Sequence, residues 1–369
     1  LNGAARGLTV LLASALAACT AAPSTLPSTS PPATPTMSPL PTSPVTPSPS
    51  PSQTEPLVGW HALETGGPAP SAREDHTWTV SPDGATAYLF GGRDAAGRAF
   101  DDLWAYDLAA NRWQRIRASG PPARFGHNAA WVDGVGLVIF AGQSPATFYN
   151  DLWSYDPAAN RWTRLPAAGD APVARYGSCA AVGPDGRLWI SHGFTSDGSR
   201  FADTRAYDFT TRRWTDETPA GERPVERCLH GCWWTDDGRL ALYAGQTTGV
   251  PALDDLWQLT PGPRIGTNAW SELSIRRRAP VARQLYASAR WRGRTVVFGG
   301  GTLSGGYLDD TWLIADDGRA TRIDSAQRPP PRSGAEVIAD PSRGRLLLFG
   351  GRDADGAMND LWELTPPAP

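Results

Sequence analysis

The strongest constraint in this chain is a repeat. From Leu57 onward one pattern returns about every fifty residues, a period that belongs to propellers and solenoids. Its first mark is an apolar run closed by two small residues: Phe90-Gly91-Gly92, Phe140-Ala141-Gly142, Tyr243-Ala244-Gly245, Phe298-Gly299-Gly300 and Phe349-Gly350-Gly351, with Ser191-His192-Gly193 as a variant. An Asp-Leu-Trp type triplet follows at Asp102, Asp151, Asp255, Asp310 and Asp360, and a degenerate copy stands at Asp203. A second Trp comes later, at Trp113, Trp162, Trp214 and Trp270. Upstream of each small pair is an arginine: Arg73, Arg124, Arg175, Arg227, Arg283 and Arg332. The 16 Trp, 39 Gly and 35 Pro of the 369 residues suit short strands and many turns better than helices.

Double glycine, Tyr-Asp, spaced Trp and Arg-x-x-His together resemble the kelch repeat. The resemblance runs from Leu57 to about Leu364 in six copies. It implies an all-β fold, a six-bladed β-propeller of four-stranded antiparallel blades around a central axis. The physical reading agrees: a fully apolar run is a strand buried on both faces, and paired small residues let backbones approach closely. The sixth copy stops after Leu364 without a fourth strand, and Trp60-His61-Ala62-Leu63 repeats the pattern of Trp113-Gln114-Arg115-Ile116. The N-terminal strand is therefore expected to complete the last blade and close the ring.

Three segments are read along the chain. Residues 1–18 look like an export signal, with Arg6 followed by a short apolar stretch. Leu16-Ala17-Ala18-Cys19 resembles the lipobox of bacterial lipoproteins, which implies lipid attachment at Cys19. Residues 19–56 are almost entirely Pro, Ser, Thr and Ala, a composition that cannot bury a core and reads as a stalk. Residues 57–369 are the propeller. The expected location is outside a cytoplasmic membrane, or at an outer membrane, with the lipid as the only membrane contact.

The resemblance implies that the six arginines lie near one mouth of the channel, where they are candidates for binding carboxylates. Six aspartates on the same face, Asp102 to Asp360, offer the alternative of a repeated ion pair. His76, His127 and His230 hold equivalent positions; packing is favoured for them over zinc ligation. With Cys19 in the anchor, the domain keeps Cys179, Cys228 and Cys232. Strand alternation and height along the blade make Cys179–Cys232 the candidate disulfide, with three buried thiols as the alternative. The connections between the small pair and Asp-Leu-Trp vary from copy to copy and carry Phe100, Phe148, Tyr149, Phe194, Phe201 and Tyr307. Variable loops on a rigid frame are where recognition usually sits.

No nucleophile elbow, phosphate loop or zinc-protease motif occurs, and no cofactor or metal is expected. Copper oxidases that share this propeller type need ligands partly outside it. A net charge of −3 without a concentrated basic face argues against nucleic acid. The expected function is binding of an envelope protein or glycan through the loops of one face. The alternative is a carbohydrate-active enzyme, of mutarotase or epimerase type, using Arg and carboxylates at the channel mouth.

Overall fold

The structure, a computed structural model, describes residues 58–276 and 279–367. The export signal, the stalk and Cys19 lie outside the described residues. Six sheets of antiparallel strands follow one another along the chain, four of them built in order from the innermost strand outward. Blade 1, for example, runs Thr77–Val80, Thr86–Phe90, Leu103–Asp107 and Arg112–Ile116. The chain folds as a six-bladed β-propeller.

Closure comes from the N-terminal strand. Gly59–Ala62 pairs antiparallel with Leu361–Thr365 and supplies the outer strand of blade 6. Trp60 is 3% exposed and reaches across to blade 5, where its indole N–H donates to Thr311 Oγ1 at 2.8 Å and its ring meets Phe298 at 5.2 Å. One tryptophan thus ties the start of the domain to two later blades.

The hydrophobic interior is divided among the blade interfaces rather than gathered in one core. Between blades 6 and 1, Trp78, Leu89, Tyr106 and Trp113 pack with Leu347 and Phe349. Outer-strand tryptophans fill the space that widens away from the axis: Trp113 lies 5.1 Å from Phe349 and Trp162 5.3 Å from Phe90.

Three blades depart from the repeat. Blade 3 gains a two-residue parallel strand, Ala168–Gly169, beside Arg213–Asp216. In blade 4 the segment read as a variable loop is largely a hairpin extension: Leu240–Thr247 and Val250–Thr260 continue past the small pair around Gly249, whose φ is 76°. Blade 5 does the same with Arg294–Gly301 and Tyr307–Ala315.

Candidate functional site

Each blade carries one arginine–aspartate unit. Arg73, Arg124, Arg175, Arg227, Arg283 and Arg332 are at most 1% exposed. Each grips its aspartate through two parallel bonds of 2.5 to 3.0 Å: Asp102, Asp151, Asp203, Asp255, Asp310 and Asp360 in turn. Nη1 also donates to the carbonyl of the first small residue, such as Gly91 or Ala141. Nε donates to the carbonyl two residues before the arginine, such as Val173 or Val225. The second aspartate oxygen accepts the Trp indole N–H at 2.7 to 2.8 Å in five blades. In blade 3, Arg205 stands in place of that Trp and donates to Asp203 at 3.2 Å. Burial pushes the Asp102 carboxyl up, but the Arg73 bonds and charge and the Trp104 indole outweigh it, so it sits below the usual range.

This geometry corrects the reading of the arginines as ligand-binding groups. Their charge is balanced and their donors are committed inside the protein, so none of the six faces an incoming carboxylate. Three of the candidate aromatics are partly spent on the same units. Phe100 lies 4.3 Å below the Arg73 guanidinium, Tyr149 4.2 Å from Arg124 and Phe201 4.4 Å from Arg175. Phe148 meets Phe194 edge to face at 5.8 Å. Tyr307 opens the third strand of blade 5, half-buried.

Two residues beyond each arginine, the backbone forms a closed cycle around the axis. The amides of Asp75, Gly334, Leu285, Leu229, Gly177 and Gly126 each donate to the next carbonyl in that order, and Gly126 donates back to Asp75, at 2.7 to 3.3 Å. All six residues are left-handed, with φ from 50° to 64°. Three are glycines; Leu229 and Leu285 adopt this conformation at a cost of about 1–2 kcal/mol each. A Cβ on Gly126 would fall 1.7 Å from the Tyr176 ring.

Around the cycle sits a buried charged network. Tyr176 OH donates to Asp75 Oδ2 at 2.8 Å, and Arg93 Nη2 lies 3.1 Å from the same oxygen. Arg93 Nε and Arg352 Nη1 lie 3.1 and 3.2 Å from Glu74 Oε1. Burial, then the charge of Asp75, pushes Glu74 up to about 7 in spite of the two arginines. Burial raises Asp75 as well. Neither Glu74 nor Asp75 could be ranked above the other carboxylates in the sequence, because their proximity is created by the ring.

On one side of the cycle a central cavity of about 760 Å³ runs between the inner strands. It extends from Asp75 and Tyr176 to Val80, Trp131, Val182, Trp234, Arg290 and Ala339. No residue of the long connecting loops lines it. Glu336, the first residue of the inner strand of blade 6, is half-buried on its wall.

The histidines belong to separate blade interfaces. His127 Nε2 shares a hydrogen bond of 2.8 Å with Thr77 Oγ1, His76 meets the Phe349 ring at 5.6 Å and His230 meets His192 at 5.5 Å. Burial, then nearby arginine charge, holds His76 and His127 well below the ordinary histidine value. Among the described residues no three His, Cys, Asp or Glu side chains are arranged to hold a metal. Cys179 and Cys232 form a disulfide between blades 3 and 4, with Cα atoms 5.7 Å apart, and Cys228 is a buried free thiol.

The face carrying the arginine loops also bears exposed apolar side chains that the sequence reading missed. Val173, Val225 and Val281 are 52%, 50% and 55% exposed. They hold one equivalent position, two residues before the framework arginine. There the Arg Nε–H···O=C bond turns the carbonyl inward and the side chain outward. Val250 and Leu303, on the extensions of blades 4 and 5, are exposed on the same side of the ring.

The chain matches the KLHDC2/KLHL20/DRC7 Kelch-repeats domain over residues 57–245 and 218–366. It belongs to this kelch-repeat family. The kelch propeller is also similar to putative adagio-like protein 2 of Oryza sativa subsp. japonica, 29% identical over 302 residues, which cover 80% of this chain and 40% of that protein. Adagio-like protein 3 of the same plant is 25% identical over 324 residues, 83% of this chain and 51% of that protein. Acyl-CoA-binding domain-containing protein 4 of Arabidopsis thaliana is 32% identical over 160 residues, 43% of this chain and 23% of that protein. The chain thus spans about half or less of the length of these relatives. A kelch-type propeller suggests protein binding in general.

Proposed function

We propose that this kelch propeller binds a protein partner through the loop face of blades 3 to 5, held outside the cell membrane by a lipid on Cys19 and spaced from it by the stalk. The observation that carries the binding surface is the row of valines at one repeated position, Val173, Val225 and Val281. Exposed apolar groups clustered on one face favour association with another surface. Here their backbones are pinned by buried arginines, so little ordering is lost on contact. The equivalent positions in blades 1, 2 and 6 are Ser71, Pro122 and Pro330, which confines the apolar arc to half the ring. The carbohydrate-active alternative loses its cationic groups, because the channel-mouth arginines are fully paired.

The binding reading is tested by placing a photocrosslinking residue at Val225, and in a control at Asp133 on the opposite turns, in producing cells. Discrete adducts are expected from Val225 and not from Asp133, and they disappear when Val173→Asp and Val281→Asp are added. Identical adduct patterns from the two positions would refute the surface. The anchoring reading predicts that Cys19→Ala moves the protein from the membrane fraction to the soluble one.

A further inference from the structure

We propose that the central cavity is a binding site for an aliphatic ammonium cation, which enters from the face opposite the long loops and ends on the Glu336 carboxylate. The shape comes first. The hydrogen-bonded cycle narrows the passage at the loop side, and the cavity continues from there to the far ends of the inner strands, near Trp131 and Trp234. Its volume, about 760 Å³, lies inside the range of roughly 300–1,000 Å³ usual for small-ligand sites.

The lining selects the chemistry. Ala129, Ala180, Ala181 and Ala289 give part of the wall an apolar character suited to a methylene chain, between polar groups such as Thr79, Asn128 and Ser288. The cationic side chain on that wall, Arg290, is already bound to Asp316 and Asp236 at 2.6 and 2.7 Å. Glu336 has no ion-pair or hydrogen-bond partner among the described residues; only burial and the charge of Asp75 act on it. Deeper in, Asp75 is 6% exposed and its Oδ1, fully buried, accepts no hydrogen bond. A buried acceptor without a donor and an unpaired carboxylate beside it both call for hydrogen-bond donors carrying positive charge. Trp131 and Trp234, half-buried toward the opening, offer ring faces that favour a passing cation.

The site also predicts its own pH dependence. Burial, then the charge of Asp75, pushes the empty Glu336 up to about 8. The groups on the neighbouring walls are Asp75 and His76 from blade 1 and Tyr286 and Arg290 from blade 5; His76 is held neutral by burial. Near neutrality the empty carboxyl is therefore mainly protonated. An arriving ammonium favours the carboxylate, so a proton is released and binding tightens as pH rises from 6 toward 8, by up to about tenfold per unit.

The test is isothermal titration of the full 369-residue chain with n-pentylamine, with uncharged n-pentanol and with an unstructured peptide carrying one lysine. The amine is expected to bind and the alcohol not, with a heat that depends on buffer ionisation because a proton leaves. Glu336→Gln should abolish binding while the protein stays folded, whereas Glu226→Gln, on the exposed loop face, should keep it. The buffer dependence of the wild-type protein decides the matter should Glu336→Gln fail to fold. Binding of the free amine alone marks a small-molecule ligand; binding of the peptide alone marks a lysine side chain of a protein segment. Undiminished binding in Glu336→Gln, equal binding of the alcohol, or no binding of either ammonium probe at millimolar concentration overturns the proposal.

Discussion

Replacing Asp151 by alanine tests whether the repeated ion pair holds the propeller together. Arg124 is completely buried, and it would lose both bonds to the carboxylate, 2.6 and 3.0 Å long. Trp153 would lose the acceptor of its indole N–H, 2.7 Å away. The Ala141 and Pro122 carbonyls would remain as partners of the guanidinium, but they carry no charge. Removing one partner of a buried pair costs about 3–5 kcal/mol, because the other charge is left uncompensated. For a domain of this size that lowers the melting temperature by on the order of 10 °C. The double change Arg124→Met with Asp151→Leu removes both charges and should recover most of the loss. Far-UV circular dichroism during heating measures both. The pH direction follows from the depressed Asp151 carboxyl: its contribution is full above the ordinary carboxylate value and is lost as pH falls through the folded value. The wild-type advantage over Asp151→Ala should therefore shrink toward pH 3. A single variant that melts within about 2 °C of wild type would refute the reasoning, since a charge left alone in the interior has no route to so small a cost.

Trp60→Ala should cost about 3–5 kcal/mol, although the residue stands at the domain's edge in sequence, because it fills the seam between blades 5 and 6; chemical denaturation read by fluorescence checks this. Reducing the Cys179–Cys232 bridge, which spans 53 residues of sequence, should lower stability by about 2–4 kcal/mol, and Cys228→Ala should leave that difference intact. Glu336 is raised in the folded state, so its protonated form favours folding below the ordinary glutamate value and that advantage is lost as pH rises to about 8. Glu336→Gln should accordingly flatten the fall of melting temperature between pH 5 and 8, and an unchanged slope would show that Glu336 does not titrate there.

The repeat made the architecture legible. Trp60 stands in the same register as Trp113, so ring closure could be read from two short segments. The arginines and aspartates were equally visible, but their spacing allowed either a cationic mouth or an internal pair. The choice depends on side-chain distance, which no spacing encodes. The ring of left-handed residues was harder to see, since only Gly126, Gly177 and Gly334 mark it and Asp75, Leu229 and Leu285 hide it. An Arg-x-Gly pattern in three copies was the available signal. Glu336 looked like any other acid, because lacking a partner is a property of the folded neighbourhood. Val173, Val225 and Val281 stand out in no way from other loop valines in the sequence; their outward turn is imposed by the arginine two positions on.

The cycle of amides at the axis sets a limit on how such a chain can change. Every N–H in it points to the blade before, so each step turns the chain by one sixth of a revolution and the last bond meets the first. Individual copies are free to drift, as blade 3 has done by exchanging a tryptophan for Arg205. Their number is not free in the same way. Gaining or losing one copy by duplication or deletion would change the angle at every step, so all the bonds would have to re-form together. Sequence divergence within a fixed count is the path the geometry leaves open, and it lets one sector of the ring specialise while the others keep the circle.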